Sequence, residues 1–228
     1  MTALAIIIPT LNEAENITTC LQHLAPLRAR GVEVIVVDGG SRDETPLCAQ
    51  SLADVIITVP SGRALQMNAG ATQATAQTLL FLHADTRLPD NADRLIDTAL
   101  KSGIGVWGRF DVGISGSHAM LPLIAWFMNL RSRATGVATG DQGIFVSRDA
   151  FNRVGGFAAI ALMEDVAICK SLKKLSPPLC LRDRIITSGR RWEKNGALKT
   201  IFLMWRLRLA YFLGADPERL AEQYNGRR

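Results

Sequence analysis

Short, uniformly apolar runs alternate with longer mixed stretches over the first half of the chain. Ile6-Ile7-Ile8-Pro9, Val34-Ile35-Val36-Val37 and Leu79-Leu80-Phe81-Leu82 show no polar alternation, the pattern of strands buried on both faces. Strands are expected at about 4–9, 33–38, 54–59 and 78–83, with helix-compatible stretches at about 13–28, 43–52, 62–76 and 90–102 between them. A βα series joined by right-handed crossovers gives an α/β fold, a Rossmann-like, mainly parallel sheet sandwiched by helices. A further strand is expected at 105–114, a helix at 119–130 interrupted by Pro122, a returning strand at 142–146, and helices at 148–154 and 164–175. The segment 197–213 is apolar around most of its circumference, with Lys199 and Arg206 seven residues apart on one side. Such a helix packs on the domain or on another subunit, or lies in a membrane interface. Its internal cations disfavour a span, and 119–130 is too short for one.

With 228 residues and no linker-like tract, the chain reads as one catalytic domain, 1–181, followed by a basic, apolar helical extension, 182–228. The net charge of +5 is unevenly placed: residues 182–228 hold 11 Lys/Arg against 5 Asp/Glu, and the rest 15 against 16. A nucleic-acid-binding domain would spread basic residues over its main face, so nucleic acid is not expected as a partner. A local anionic partner, a phosphate or a lipid surface, fits the tail. Cys20, Cys48, Cys169 and Cys180 form no C-x-x-C pair and read as free thiols rather than a zinc or redox site. Met1-Thr2 leads into a strand without the basic and apolar segments of a signal peptide. The expectation is a cytoplasmic protein, held peripherally at the inner face of the membrane if the tail binds lipid.

The chemistry sits at strand ends. Pro9-Thr10-Leu11-Asn12-Glu13 opens a helix, and Asn12 is either its N-cap or a ribose or base contact. Asp38-Gly39-Gly40-Ser41 pairs a strand-terminal acid with two glycines that permit close backbone approach; Asp38 can accept from a base imide or a ribose hydroxyl. Arg63 is either a phosphate ligand or a solvated cation, and Gly70, unfavourable in a helix, implies close packing or ligand approach. His83-Ala84-Asp85 places an imidazole and a carboxylate on one side of an extended end, within reach of one Mg²⁺ or Mn²⁺ that would bridge to a diphosphate. Glu164-Asp165 either favours a helix N-terminus or supplies a general base. In an open α/β sheet, acids gathered at the carboxyl edge mark a site. The Gly-x-Gly-x-x-Gly and Gly-x-x-x-x-Gly-Lys-Ser/Thr fingerprints are absent, so nucleotide binding needs another device.

Pro9-Thr10-Leu11-Asn12-Glu13, Val37-Asp38-Gly39-Gly40-Ser41, Leu82-His83-Ala84-Asp85, Gly155-Gly156-Phe157 and Glu164-Asp165 together resemble the family 2 glycosyltransferases of GT-A fold. The resemblance covers residues 4–175 and implies transfer of a sugar from a UDP, GDP or dTDP donor to an acceptor hydroxyl. By it, Pro9, Thr10, Asn12, Glu13, Asp38, Gly39, Arg63, Asn68 and Asp85 belong to the donor site. Asp85, with His83, holds the metal, and Asp165, beside Glu164, is the catalytic base. His83 stands where the family's Asp-x-Asp has its leading acid. Ser188-Gly189-Arg190-Arg191-Trp192 is similar to the Gln-x-x-Arg-Trp signature of processive members with Ser188 in place of Gln, so a single transfer is implied, with Arg190, Arg191 and Trp192 at the donor diphosphate. Arg109-Phe110, Thr139-Gly140-Asp141-Gln142, Leu162-Met163-Glu164-Asp165 and Arg190-Arg191-Trp192-Glu193 are similar to a bacterial subgroup labelled arsenosugar-biosynthesis glycosyltransferases, which places Asp141 and Gln142 at the acceptor. The acceptor is a small molecule or lipid-linked, and a homo-oligomer is compatible with the apolar tail. The rival reading is an idle nucleotide-binding module docked through that tail.

Overall fold

The computed structural model describes residues 3–226. Met1 and Thr2, on which the expectation of a leaderless start rests, and Arg227 and Arg228 of the basic tail lie outside the described residues. The chain runs β1 (Leu4–Thr10), α1 (Ala14–Ala29), β2 (Glu33–Asp38), α2 (Thr45–Ala49), β3 (Val55–Thr58), α3 (Arg63–Gln73), β4 (Thr78–Phe81), β5 (Thr86–Arg87) and α4 (Ala92–Lys101). It continues through β6 (Trp107–Ser115), α5 (Leu121–Thr135), a 3-10 turn (Gly140–Gln142), β7 (Ile144–Ser147), α6 (Arg148–Arg153) and α7 (Glu164–Leu172). It ends with β8 (Leu179–Ser188), α8 (Arg190–Asn195), α9 (Ala197–Phe212) and α10 (Pro217–Asn225).

One sheet of order β3-β2-β1-β4-β7-β6-β8-β5 carries the molecule. The uniformly apolar runs are explained by the two cores they separate. Ile6 and Ile8 of β1 join Ile17, Leu21 and Leu24 of α1 on one face, while Ile7 joins Met67 of α3, Phe151 of α6 and Ile168 of α7 on the other. Gly70 lets α3 press onto the sheet: a Cβ there would collide with Ile7 and lie 2.9 Å from Val37 Cγ2. Of the two roles open to this glycine, the packing one is realised.

Pairing is parallel among β1, β2, β3 and β4 and turns antiparallel at β4–β7, β7–β6 and β5–β8, with β6 and β8 parallel. β8 had no counterpart among the expected strands. Its middle residues Arg182, Asp183 and Arg184 are all exposed, and its register against β6 slips between Phe110 and Asp111, so burial alternates only from Arg184 to Thr187, too short a stretch to announce a strand. The strand also crosses the expected boundary between 181 and 182, which ties the extension into the sheet. Pro122 does not interrupt α5. It occupies the first turn, where a proline costs no hydrogen bond, and the helix runs on to Thr135. Among the described residues no helix is long and apolar enough to cross a membrane.

Candidate active site

The chain leaves β1 toward β2 and β3 on one side and returns to place β4 on the other, so the strand order switches at the β1–β4 boundary. A crevice must open beyond the carboxyl ends of such a pair. It holds a cavity of about 880 Å³ whose wall includes Pro9 and Glu13 after β1, His83 and Asp85 after β4, Asp141 of the 3-10 turn, and Glu164 and Asp165 of α7.

Arg190, at the start of α8, reaches over this edge. Its guanidinium lies 3.8 Å from Glu13 Oε2, 3.8 Å from Asp85 Oδ2 and 3.7 Å from Glu15 Oε2. Burial, partly offset by the hydrogen bond from Asn16, holds the Glu13 carboxyl above the usual range, and the Asp85 charge pushes the same way. Asp85 has the donor chemistry for a hard cation, a carboxylate facing a roomy cavity, and Mg²⁺ or Mn²⁺ commonly takes one or two such ligands with substrate phosphates and water. Among the described residues no group of three or more His, Cys, Asp or Glu forms a self-sufficient metal cage. His83 shares this wall with its ring engaged: Nδ1 lies 3.2 Å from Asp141 Oδ1, and the ring packs so tightly on Gly140 that a Cβ there would strike Nε2.

Glu164 and Asp165, adjacent in sequence, have different surroundings. Asp165 is half-buried and accepts from the Val166 amide at 2.7 Å and the Gly140 amide at 3.2 Å. Glu164 is buried, with Arg63 Nη1 3.4 Å from its carboxylate. Burial, and then the Asp165 charge, push the Glu164 carboxyl up, while Arg63 opposes. The preceding residue, Met163, has φ of 70°, and Asn12, before Glu13, has 55°. Among the described residues these are the two non-glycine residues in the left-handed region, and each precedes an acid of the cavity wall. Such conformations cost on the order of 1–3 kcal/mol and persist where the surroundings over-determine them.

Other residues singled out by sequence lie behind this wall. Asn12 does not cap α1, which starts at Ala14 with Glu13 at the cap position. The amides leading into the helix are instead served from the β2–α2 loop and the first residue of α2: Ser41 Oγ accepts from Asn12, Thr45 Oγ1 from Glu13 and Asp43 Oδ2 from Ala14. Asn12 Oδ1 returns a bond by accepting from the Arg42 amide. Asp38 is buried and accepts from the amides of Gly40 and Ser41 and from the Ser41 hydroxyl; Thr10 is its register partner. Gly39 gives Gln66 room to donate to the carbonyls of Thr10 and Val37, both at 2.8 Å, a bridge across the ends of β1 and β2. Asn68 spends its amide on both backbone groups of Phe157, fixing the Gly155-Gly156 loop. Gln142 is buried, and its Oε1 accepts from the Thr139 amide at 3.3 Å.

The extension contributes more than expected. Arg191 and Trp192 of α8, Thr200, Met204 and Arg208 of α9 and Tyr224 of α10 all line the cavity. Arg191 stacks 3.5 Å from the Tyr224 ring centroid and donates to the Tyr224 carbonyl at 2.8 Å. Burial pulls the Arg208 guanidinium down, against the charges of Asp165 and Asp141. Arg208 carried a signal: it lies on the opposite side of its helix from Lys199 and Arg206, an inward-facing cation in an apolar helix.

Residues 5–159 match the family described as Glycosyl transferase family 2. Among curated proteins, the PGL/p-HBAD biosynthesis glycosyltransferase of Mycobacterium tuberculosis is 39% identical over 102 residues, 42% of this chain and 40% of that protein. The match thus spans well under half of that relative. Among solved structures, S. aureus TarS in complex with UDP superposes with a TM-score of 0.65 at 17% identity, covering 82% of this chain and 60% of that one. The mannosyltransferase PcManGT of Pyrobaculum calidifontis, in complex with GDP-Man and Mn²⁺, gives 0.64 at 19%, covering 97% and 68%. Glucosyl-3-phosphoglycerate synthase of M. tuberculosis, in complex with Mn²⁺, UDP and glucosyl-3-phosphoglycerate, gives 0.61 at 18%, covering 82% and 71%.

Proposed function

Starting from the fact that this chain belongs to glycosyl transferase family 2, we propose that it moves one sugar from a nucleoside diphosphate donor to an acceptor hydroxyl with inversion at the anomeric carbon. The observation that carries this reading is the convergence of Glu13, Asp85, Asp165 and Arg190 on one cavity at the β1–β4 switch point. The nucleotide-bound relatives support the donor class, and the two with Mn²⁺ support a divalent metal.

Asp165 is the base. Its carboxylate is held by the Gly140 and Val166 amides, which fix its aim. It takes the acceptor proton as the hydroxyl oxygen bonds to the anomeric carbon and the bond to the diphosphate breaks on the opposite face. Arg190 and Arg191 receive the charge that develops on the leaving diphosphate, a contact of the kind worth about 3–4 kcal/mol in the transition state. Mn²⁺ or Mg²⁺ at Asp85, when bound, supplies further positive charge to the diphosphate. His83, held at Asp141, positions that acid at the acceptor side. Thr10, Asn12 and Asp38, at the adjoining β1–β2 edge, serve the nucleoside.

The test is a thermal-shift screen of UDP, GDP, dTDP and their sugars with and without Mn²⁺, followed by transfer assays with the nucleotide that binds. Metal-dependent stabilisation by one nucleotide and a product of inverted anomeric configuration are expected. Nucleotide binding with no transfer across a broad acceptor panel would overturn the enzymatic reading in favour of an idle module.

A further inference from the structure

The outer faces of α5 and α9 carry large apolar side chains that stand about half to two thirds exposed. On α5 these are Leu123, Trp126, Phe127 and Leu130, spaced i, i+3, i+4, i+7 and 48% to 56% exposed. On α9 they are Leu198, Phe202, Trp205, Leu209 and Phe212, spaced i, i+4, i+7, i+11, i+14 and 59% to 68% exposed, with Leu213 following at 80%. Each set is a single helical stripe, the geometry of an interfacial helix. The two helices are held together by Leu121 and Ile124 of α5 against Ala197 of α9, with Met128 and Ile201 beside them. The stripes therefore belong to one two-helix unit.

The charges on that unit decide what covers it. Neither helix contains an Asp or Glu; of their five cations Arg208 lines the cavity, Arg133 pairs with Asp111 and Arg131 is partly buried, which leaves Lys199 and Arg206 facing outward. Lys199 and Arg206 are exposed and flank one edge of the α9 stripe; Lys170 sits at its far end, 4.5 Å from the Phe212 ring centroid. Two copies of this chain joined face to face would bring like charges together along the rim. An anionic lipid surface meets both features at once, taking the apolar side chains among its acyl chains and the cations among its head groups. Tryptophans such as Trp126 and Trp205 are the residues that prefer this boundary.

We propose that the α5–α9 face seats the protein on an anionic bilayer surface. The inward faces of the same helices, through Met128, Thr200, Met204 and Arg208, line the cavity. Seating would hold the cavity about one helix diameter, roughly 10–12 Å, from the lipid head groups. The inference stands apart from the donor reading, since none of the outward residues lines the cavity.

The test is co-sedimentation of the full chain with vesicles of phosphatidylcholine alone or of equimolar phosphatidylcholine and phosphatidylglycerol. Binding to the anionic vesicles, at least tenfold above the neutral ones and weakened by salt, is expected. Phe202→Ser/Trp205→Ser should lower it at least tenfold, and Lys199→Glu/Arg206→Glu should abolish the anionic preference. Both variants should keep the nucleotide thermal shift of the parent, which shows that the fold survives. Absence of binding to either vesicle, or a dimer by light scattering that Phe202→Ser/Trp205→Ser dissolves, would overturn the proposal.

Discussion

The Gly140 amide donates to Asp165 Oδ2 at 3.2 Å, joining the 3-10 turn before β7 to the first turn of α7 across 25 residues of chain. Together with the Val166 amide, which donates to Oδ1 at 2.7 Å, it fixes the aim of the Asp165 carboxylate. Asp165→Asn keeps the shape and removes the basicity, so turnover should fall by about 10²–10⁴. Donor affinity, measured by nucleotide titration, should stay within error of the parent. Near-normal transfer by this variant would remove Asp165 from the role of base.

Asp85 faces the cavity with Arg190 as its cationic neighbour. Asp85→Ala should leave the protein folded and abolish the Mn²⁺-dependent part of the nucleotide thermal shift, which chelation of the metal should reproduce in the parent. A variant that keeps the full metal-dependent shift would place the ion elsewhere.

Glu164 gives a pH prediction. Burial and the neighbouring Asp165 hold its carboxyl above the ordinary glutamate range, so the folded chain binds this proton more tightly than the unfolded one. Its contribution to stability is complete below the unfolded-state value and is lost as pH rises through the raised folded-state value. Glu164→Gln removes that loss. Its melting temperature should exceed the parent's at neutral pH and converge with it in acid, as read by calorimetry across that range. A constant difference at every pH would contradict the assignment.

Gly70 has no room for a methyl group between α3 and the side chains of Ile7 and Val37. Gly70→Ala should destabilise by about 1–3 kcal/mol, the usual cost of overpacking a core. That lowers the melting temperature by about 2–4 °C for each kcal/mol in a chain of this size. An unchanged melting temperature would mean that the helix shifts freely on the sheet.

Much of the site was legible because β1, β2 and β4 are almost wholly buried and run parallel. A run such as Val34-Ile35-Val36-Val37 cannot be an amphipathic surface element, and parallel strands deliver the residues that follow them, Glu13, Asp38 and Asp85, to one edge. The start of α7 at Glu164-Asp165 was readable for a similar local reason, acids opening an apolar helix. Local pattern also carried the family resemblance, since its motifs are those strand ends.

Tertiary structure alone decided the rest, because it rests on partners far apart in sequence. Nothing near His83 announces that Asp141 will receive its ring, and nothing near Gln66 that it will bridge Thr10 and Val37. β8 alternates only over Arg184–Thr187 and exists through its pairing with β6 and β5. The extension looked like an appendage because its apolar character is visible residue by residue. Only packing turns Arg208 and Tyr224 into the cavity while leaving Phe202 and Trp205 outside. Sequence therefore determined the parallel half of the sheet, its ligand-binding edge and the acids on it; the fold decided the remaining strand pairing, which of those acids face a common cavity and what closes its far side, since all three depend on contacts that no local period encodes.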